Sequence, residues 1–339
     1  MVSTDNYLLK VENLKTYFPI KKGLLRRTVG YVRAVDGISF GIEKGQTLGL
    51  VGESGCGKTT VARSIVRLVP ATEGQVVFEQ TDVLSADRVK LRRLRRQISL
   101  IFQDPYGSLN PRMTVGNTIG EPLRVHPVRS KMSISNGVQG ETAGSELIER
   151  VAVLLSKVGL SRDHINRYPH EFSGGQRQRI GVARALALRP KLVICDEPVS
   201  ALDVSVQSQI LNLLKDLQEE FGLTYLFIAH DLAVVEFFCD IVAVMYMGRI
   251  VERATAEGLY RNPLHPYTRA LMSAIPRVEP SLRGRRTAFG GEVPSALNPP
   301  AGCAFGPRCP LAGGDCLRQM PALKERSDYE GHFVACWKS

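Results

Sequence analysis

The stretch TLGLVGESGCGKTTVARSIVRL, residues 47–68, decides how the rest of the chain is read. Five residues, TLGLV, suit a buried strand; a glycine-rich turn follows, and TVARSIVRL has helical spacing. A strand, a tight turn and a helix in that order gather backbone N–H groups and the positive end of a helix dipole around an anion. Gly52, Glu53, Ser54, Gly55, Cys56, Gly57, Lys58, Thr59 and Thr60 are the residues expected against a polyphosphate. Lys58 suits the β- and γ-phosphates, and the Thr59 hydroxyl suits a magnesium ion.

Two further segments downstream carry phosphate chemistry. LVICDE, residues 192–197, buries four apolar residues and delivers two carboxylates at a strand end. Asp196 there suits Mg²⁺, and Glu197 suits polarisation of an attacking water. A pair of acids ending a strand can also simply cap the next helix; the glycine-rich loop upstream favours the chemical reading. SGGQ, residues 173–176, opens the predicted helix GQRQRIGVARALAL. Ser173 with Gly174 and Gly175 can present a hydroxyl and bare N–H groups to an anion at that helix start. Alone, Ser-Gly-Gly is an ordinary helix cap. Its position some twenty residues before LVICDE gives it weight.

Around these motifs, ISLIF, KLVICD, TYLFIAH and DIVAVMY are compact apolar runs of the kind found in buried parallel strands. They alternate with helical stretches such as VQSQILNLLKDLQEEF, which predicts α/β architecture with a parallel sheet. At the start, LLKVENLKTYF and AVDGISFGI read as short antiparallel strands around a polar, basic loop, KKGLLRRTVG. Between Gln103 and Ser173 the strand signal fades, and PRMTVGNTIGEPL and SELIERVAVLLSKVGL have helical periodicity. This predicts an inserted helical subdomain at about 104–175. Its polar segment HPVRSKMSISNGVQGETAGS, residues 126–145, reads as a mobile loop. Beyond residue 255 the sequence turns Pro-rich and weakly periodic, so a second domain is expected over 256–339.

The whole chain has 339 residues, 44% of them hydrophobic, enough for a core of some 250 residues and a smaller appendage. No run approaches the roughly 18 apolar residues that cross a bilayer, and MVSTDNYLLKVEN lacks the charged and apolar regions of a secretion signal. A cytoplasmic protein is therefore expected. A formal charge of +11 favours polyanions without choosing among nucleotides, nucleic acid and anionic membranes. The densest basic run, RVKLRRLRR at 88–96, reads as a solvated helix face. Of seven cysteines, Cys303, Cys309, Cys316 and Cys336 crowd into the last 37 residues, which suggests a metal site before disulfides. Spacings of five, six and nineteen residues are not those of a C-x₂-C knuckle. Four thiolates suit zinc or an iron–sulfur cluster. Cys56, Cys195 and Cys239 read as packing residues.

The ordered motifs resemble the ATP-binding cassette (ABC) superfamily over roughly residues 8–255. On that resemblance the Walker A loop is 52–59, the Q-loop residue is Gln103 and the signature is Ser173, Gly174, Gly175 and Gln176. Walker B is Asp196 with Glu197, the D-loop is 200–203, ending in Asp203, and the switch is His230. Phe172 stands where leucine usually precedes the signature serine. FQDPYGSLNPRMTVGNTI, EFSGGQRQRIGVARALALRPKL, NPLHPYTRALMSAIP and CAFGPRCP resemble the ATPase subunits of oligopeptide and dipeptide importers. The start, LKTYFPIKKG then VRAVDGISF, is most similar to the F-type subunit.

What the resemblance implies is a P-loop NTPase (RecA-like) core with an antiparallel β subdomain, the helical insertion and a small cysteine-containing C-terminal domain. It also implies ATP hydrolysis coupled to import of peptides or a related solute. Two cassettes pair head to tail, so that ATP lies between one phosphate loop and the other cassette's signature helix. Glu197 activates water, His230 contacts the γ-phosphate, Gln103 senses metal and water, and Asp203 communicates across the interface. Thr59, Gln103 and Asp196 are the implied magnesium residues. Phe18 is the choice for stacking on adenine, with Tyr17 and Tyr31 as rivals. Tyr106 and Leu109 are candidate contacts to a membrane partner. Implied partners are a second ATPase, two permeases and an extracytoplasmic solute-binding protein, with the chain peripheral on the cytoplasmic membrane face. The C-terminal cysteines are associated in that branch with a [4Fe–4S] cluster, and zinc is the alternative.

Other classes fit less well. A soluble cassette ATPase acting on nucleic acid or ribosomes usually carries two cassettes or a long coiled-coil insertion, and this chain has one Gly-rich phosphate loop and no heptad run. No nucleic-acid partner is expected. A P-loop kinase lacks the signature helix. A cassette without turnover is disfavoured by the joint presence of Lys58, Asp196, Glu197 and His230.

Overall fold

Two long strands, β1 (Tyr7–Lys22) and β2 (Arg27–Glu43), pair antiparallel from Tyr7 opposite Glu43 to Lys22 opposite Arg27. The ribbon is longer than the sequence reading, which made KKGLLRRTVG a loop. The inner half alternates apolar residues into a core, with Leu9, Leu14, Val35 and Ile42 fully buried. The outer half buries no side chain fully, although Phe18 stands opposite Val32, so its pairing rests largely on backbone hydrogen bonds.

The computed structural model describes residues 6–23, 27–104, 107–126, 141–273 and 294–339. They divide into two compact units, Met1–Ala86 with Leu226–Ser339, and Asp87–Tyr225. In the first unit, β3 (Thr47–Val51) leads through the glycine-rich turn into α1 (Lys58–Ile65). β4 (Glu73–Phe78) and β5 (Thr81–Asp82) extend the ribbon into a sheet of order β2-β1-β4-β5.

The second unit opens with α2 (Arg88–Gln97), the basic run read as a solvated helix. Asp87 caps it, and only Leu94 is buried. β6 (Ile98–Ile101) follows, then α3 (Val115–Val125) and α4 (Glu141–Lys157). Helix α4 begins inside the segment expected to be a loop; the rest of that segment beyond His126 lies outside the described residues. α5 (Gly174–Leu186), β7 (Leu192–Asp196) and α6 (Val204–Phe221) complete the unit, with β6 and β7 parallel in register Ile98–Leu192 to Ile101–Cys195. Leu109, expected as a partner contact, is 3% exposed and therefore packs internally. Tyr106 lies outside the described residues.

The chain returns to the first unit along β8 (Thr224–Ala229), then α7 (Leu232–Phe238) and β9 (Ile241–Tyr246). β9 runs parallel to β3, from Ile241 opposite Leu48 to Val244 opposite Val51. β10 (Arg249–Thr255) turns back antiparallel, and α8 (Ala256–Arg261) and α9 (Pro266–Ser273) follow. The last segment holds α10 (Gly314–Arg318), β11 (Lys324–Arg326) and β12 (Tyr329–Val334), with β12 antiparallel to β10. The parallel strands read from sequence are buried at nearly every position, as expected for strands covered on both faces.

One buried carboxylate is fully partnered where β10 meets these late elements. The Glu252 carboxylate, 0% exposed, accepts from the N–H groups of Leu264 and His265 at 2.6 and 2.9 Å and pairs with His332 Nε2 at 2.7 Å. The Tyr17 hydroxyl donates to Asp36, which also accepts from Arg249 at 2.7 Å. Burial acts to raise the Asp36 carboxyl, but Tyr17 and Arg249 outweigh it and hold it below the usual range.

Candidate functional site

In the first unit the glycine-rich turn is a close-fitted cradle. Gly52 has φ 154°, and a Cβ there would lie 2.1 Å from the Met245 carbonyl oxygen. At Gly57, φ is 109° and a Cβ would lie 2.1 Å from the Ala34 carbonyl oxygen. Only glycine fits either position, because backbone on one side and a left-handed torsion on the other leave no room for a side chain. α1 therefore starts directly after Gly57, with its first N–H groups directed into the turn. Lys58 is 4% exposed, and its Nζ donates to the carbonyls of Gly52 at 2.7 Å and Glu53 at 3.1 Å. The ammonium thus folds back over the turn. Cys56 is buried, and burial pushes its thiol up against the pull of Lys58, consistent with the packing role read from sequence.

Glu53 is held at every polar group. Its N–H donates to Tyr267 Oη at 2.9 Å, its carbonyl accepts from Lys58, and its carboxylate faces Arg308. Neither Tyr267 nor Arg308 was expected near the turn. A lone carboxylate inside an anion-binding loop is the only sequence signal that a cation must lie beside it. Thr59 and Thr60 occupy the first turn of α1 and are half-buried.

His230 follows β8 immediately, is exposed, and precedes Asp231, which caps α7 by accepting from the Ala233 N–H at 2.9 Å. Phe18 lies on β1 opposite Val32 and is 41% exposed; Tyr31 is 52% exposed. Tyr17 is the most enclosed of the three aromatics. Burial and Asp36 push its hydroxyl up to about 12.

The second unit carries the acids. β7 ends at Asp196, which is 2% exposed, and Glu197 turns the chain with φ 48°. Left-handed backbone at a non-glycine residue is held only where the surroundings enforce it, and such positions gather at functional sites. Here Ser200 donates twice to the Glu197 carbonyl, from N–H at 3.3 Å and Oγ at 3.1 Å. Gln103 Nε2 donates to Glu197 Oε2 at 2.9 Å. Two residues singled out from separate motifs are thereby joined.

Ser173 caps α5 in a reciprocal box: its Oγ accepts from the Gln176 N–H at 3.4 Å, and Gln176 Oε1 accepts from the Ser173 N–H at 3.0 Å. Gly174 and Gly175 form the first helical positions. Asp203 caps α6, accepting from the Val206 N–H at 3.0 Å and from Ser205 Oγ at 2.6 Å. The ordinary capping role is thus present at both residues.

The chain matches the family model "ABC transporter" over residues 35–200 and the model "Oligopeptide/dipeptide transporter, C-terminal region" over residues 251–316. It is 51% identical over 332 residues to the oligopeptide transport ATP-binding protein AppF of Bacillus subtilis, covering 97% of this chain and 96% of that protein. This chain belongs to the ABC transporter ATP-binding proteins. Against OppF of Escherichia coli, the oligopeptide transport ATP-binding protein, identity is 51% over 336 residues, with 98% and 96% covered. Among solved structures, cbiO1 of Clostridium perfringens, part of the ABC transporter complex cbiONQ, has a TM-score of 0.61 at 26% identity. That match covers 76% of this chain and 92% of cbiO1. The cassette MJ0796, solved as a dimer bound to ADP and Pi, has a TM-score of 0.61 at 28% identity over 73% of this chain and 98% of that one. The cassette ATPase fold and the ATPase character of the chain follow from these likenesses. Among the described residues no helix is long and apolar enough to cross a membrane.

Among the described residues, no group of three or more His, Cys, Asp or Glu side chains is set to hold a metal ion. A closed four-cysteine shell, expected from sequence, is therefore not formed. The four thiols are nonetheless neighbours. Burial pushes Cys303 and Cys309 up, backbone N–H groups of Phe305, Gly306 and Leu311 oppose that rise, and the charges of Cys316 and Cys336 add to it. Cys303 N–H donates to the Cys316 carbonyl at 2.7 Å, and the Lys338 N–H donates to Cys336 Sγ at 3.4 Å. Sulfur is the donor type that zinc and iron–sulfur centres take, but no closed shell for one is formed among the described residues.

Proposed function

We propose that this chain powers import of oligopeptides, dipeptides or a related solute by hydrolysing ATP on the cytoplasmic face of a membrane. Its partners in this reading are two permeases, an extracytoplasmic solute-binding protein and a second, related ATPase with which it forms a heterodimer. The naming of both relatives as oligopeptide transport proteins supports the cargo class. The Gln103–Glu197 hydrogen bond carries the catalytic reading: a carboxylate in left-handed backbone, one residue past a buried aspartate, is held by an amide that can orient it toward water.

In this reading residues 52–60 grip the phosphates and Lys58 leaves its loop carbonyls for the β- and γ-phosphates. Thr59, Gln103 and Asp196 hold magnesium, which neutralises charge developing on the phosphoryl oxygens. Glu197 takes the proton of the attacking water, and His230 contacts the γ-phosphate. Ser173, Gly174, Gly175 and Gln176 close over a nucleotide bound by the partner cassette, and Asp203 reports across that interface. Phe18, exposed on β1, stacks on adenine. Residues 1–255 form the nucleotide-binding domain, and 256–339 a C-terminal domain whose four cysteines hold a [4Fe–4S] cluster of structural role, with zinc as the alternative.

Glu197→Gln and Lys58→Ala test the core of this reading. The first is expected to bind ATP while turnover falls on the order of 10²-fold or more, trapping a closed dimer. The second is expected to weaken nucleotide binding itself. Unchanged ATP turnover in Glu197→Gln overturns the assignment.

A further inference from the structure

Arg308 ends a short 3₁₀ turn, Gly306–Arg308, one residue before Cys309. Its Nη1 donates to Glu53 Oε2 at 3.0 Å and its Nη2 to Glu53 Oε1 at 3.3 Å, a forked pair with the arginine side chain only 9% exposed. Nη1 also donates to Tyr246 Oη at 3.2 Å. Beneath the pair lies a floor of rings: Tyr246 against Tyr267 at 4.7 Å, and Phe305 against Tyr246 and Tyr267 at 5.4 and 5.5 Å. Tyr267 and Phe305 are 0% and 1% exposed, so the floor is fixed by packing.

Two contacts to Glu53 therefore come from residues more than two hundred positions away, and both reach the second residue of the phosphate loop. An exposed ion pair would mean little. This one is forked, largely enclosed and backed by a second acceptor, the arrangement in which arginine is not replaceable by lysine. Glu53 also poses a problem for an anion site. Its negative charge opposes that of a polyphosphate, and an opposing charge in a partly buried loop is weakly screened.

We propose that Arg308 is a positioning residue for nucleotide binding: it cancels the Glu53 charge and, with Tyr267, holds the opening of the phosphate loop, so that the C-terminal segment sets nucleotide affinity. This rests on the ATP site proposed above. Arg308 need touch neither nucleotide nor water; it acts through Glu53. The consequence is a specific form of suppression. Removing Arg308 leaves a bare carboxylate in the loop, whereas neutralising Glu53 at the same time removes the repulsion.

Nucleotide affinity of the full-length chain, measured with a fluorescent ATP analogue and magnesium, tests this in wild type, Arg308→Ala, Glu53→Gln and the double variant. Arg308→Ala is expected to weaken affinity about tenfold, the size of a charge-assisted hydrogen bond, and to raise KM for ATP more than it lowers kcat. The double variant is expected to return to within about threefold of wild type. A purely structural role predicts instead that affinity stays reduced in the double variant, because the pair that holds the loop is absent there as well. Should Arg308→Ala not fold, Arg308→Gln carries the same expectation. Wild-type affinity in the Arg308 variants, or no recovery in the double variant, overturns the proposal. Lys58→Ala separates the two readings. If the wild-type chain binds no nucleotide, or Lys58→Ala binds equally well, the ATP site itself fails; if Lys58→Ala is impaired and Arg308→Ala is not, only the role of Arg308 fails.

Discussion

Gln103 and Glu197, 94 residues apart, share a 2.9 Å hydrogen bond in which the amide nitrogen donates to the carboxylate. The contact places the second residue after β6 against the residue after β7, two parallel strands of one unit. A carboxylate held in left-handed backbone has few alternative orientations, and the amide selects among them.

Removing that amide should therefore act on turnover more than on binding. Gln103→Ala is expected to lower the ATP hydrolysis rate about tenfold, corresponding to ~1.4 kcal/mol in the barrier. Affinity for nucleotide measured without magnesium should stay within about threefold. Steady-state hydrolysis and equilibrium binding on the same preparation decide it, and equal losses in both would remove the orienting role.

At Gly57 the prediction concerns stability as well as binding. A methyl group there would stand 2.1 Å from the Ala34 carbonyl oxygen while φ is 109°. Backbone must move, because the Ala34 oxygen belongs to the main chain and not to the end of a flexible side chain. Gly57→Ala is expected to cost about 2–4 kcal/mol in denaturant unfolding and to abolish measurable nucleotide affinity. Wild-type stability in this variant would mean that the turn is not built as described.

His265 makes stability pH-dependent. It is 1% exposed, and its Nδ1 accepts from the Tyr267 N–H at 3.1 Å, a bond available only to the neutral ring. Burial lowers its pKa from the ordinary 6.5 to about 4; Glu252 opposes the shift and Arg269 adds to it. Between those values the unfolded chain takes up a proton that the folded chain refuses. Stability is therefore expected to fall as pH drops from 6.5 towards 4, by about 1.4 kcal/mol per unit over that window. Denaturant titrations at pH 7.5, 6 and 5 should show this slope in the wild type and a shallower one in His265→Gln. Identical slopes would assign the acid sensitivity elsewhere.

The cysteine knot has a visible readout. If the proposed cluster is assembled on these cysteines, protein purified without oxygen is brown, with the broad absorption of an iron–sulfur centre and about four irons per chain. Cys303→Ser and Cys309→Ser should lose colour and iron together. Colourless protein with stoichiometric zinc would reassign the metal.

Much of the local structure of the candidate nucleotide site was legible in the sequence because its parts are local. Residues 52–60 carry glycines, lysine and threonine within one turn, and the torsions that this turn needs are properties of those residues themselves. The burial of LVICD at β7 and the capping of α5 by Ser173 and of α6 by Asp203 likewise depend on neighbours a few positions away. The outer half of the β1–β2 ribbon was missed because backbone pairing needs no apolar alternation, and the start of α4 because its first turn is polar.

The sequence by itself determined the local make-up of the candidate site: the glycines, lysine and threonines of one turn, the two carboxylates at a strand end and the serine and aspartate that cap helices. Tertiary structure alone decided that Arg308 meets Glu53 across 255 positions, that Tyr267 receives the Glu53 N–H, and that β12 pairs with β10. The physical reason is that such pairs carry no periodic signature. Each side chain is an ordinary polar residue in its own segment, and its partner is chosen by the packing of buried rings and strands that brings distant stretches of chain together.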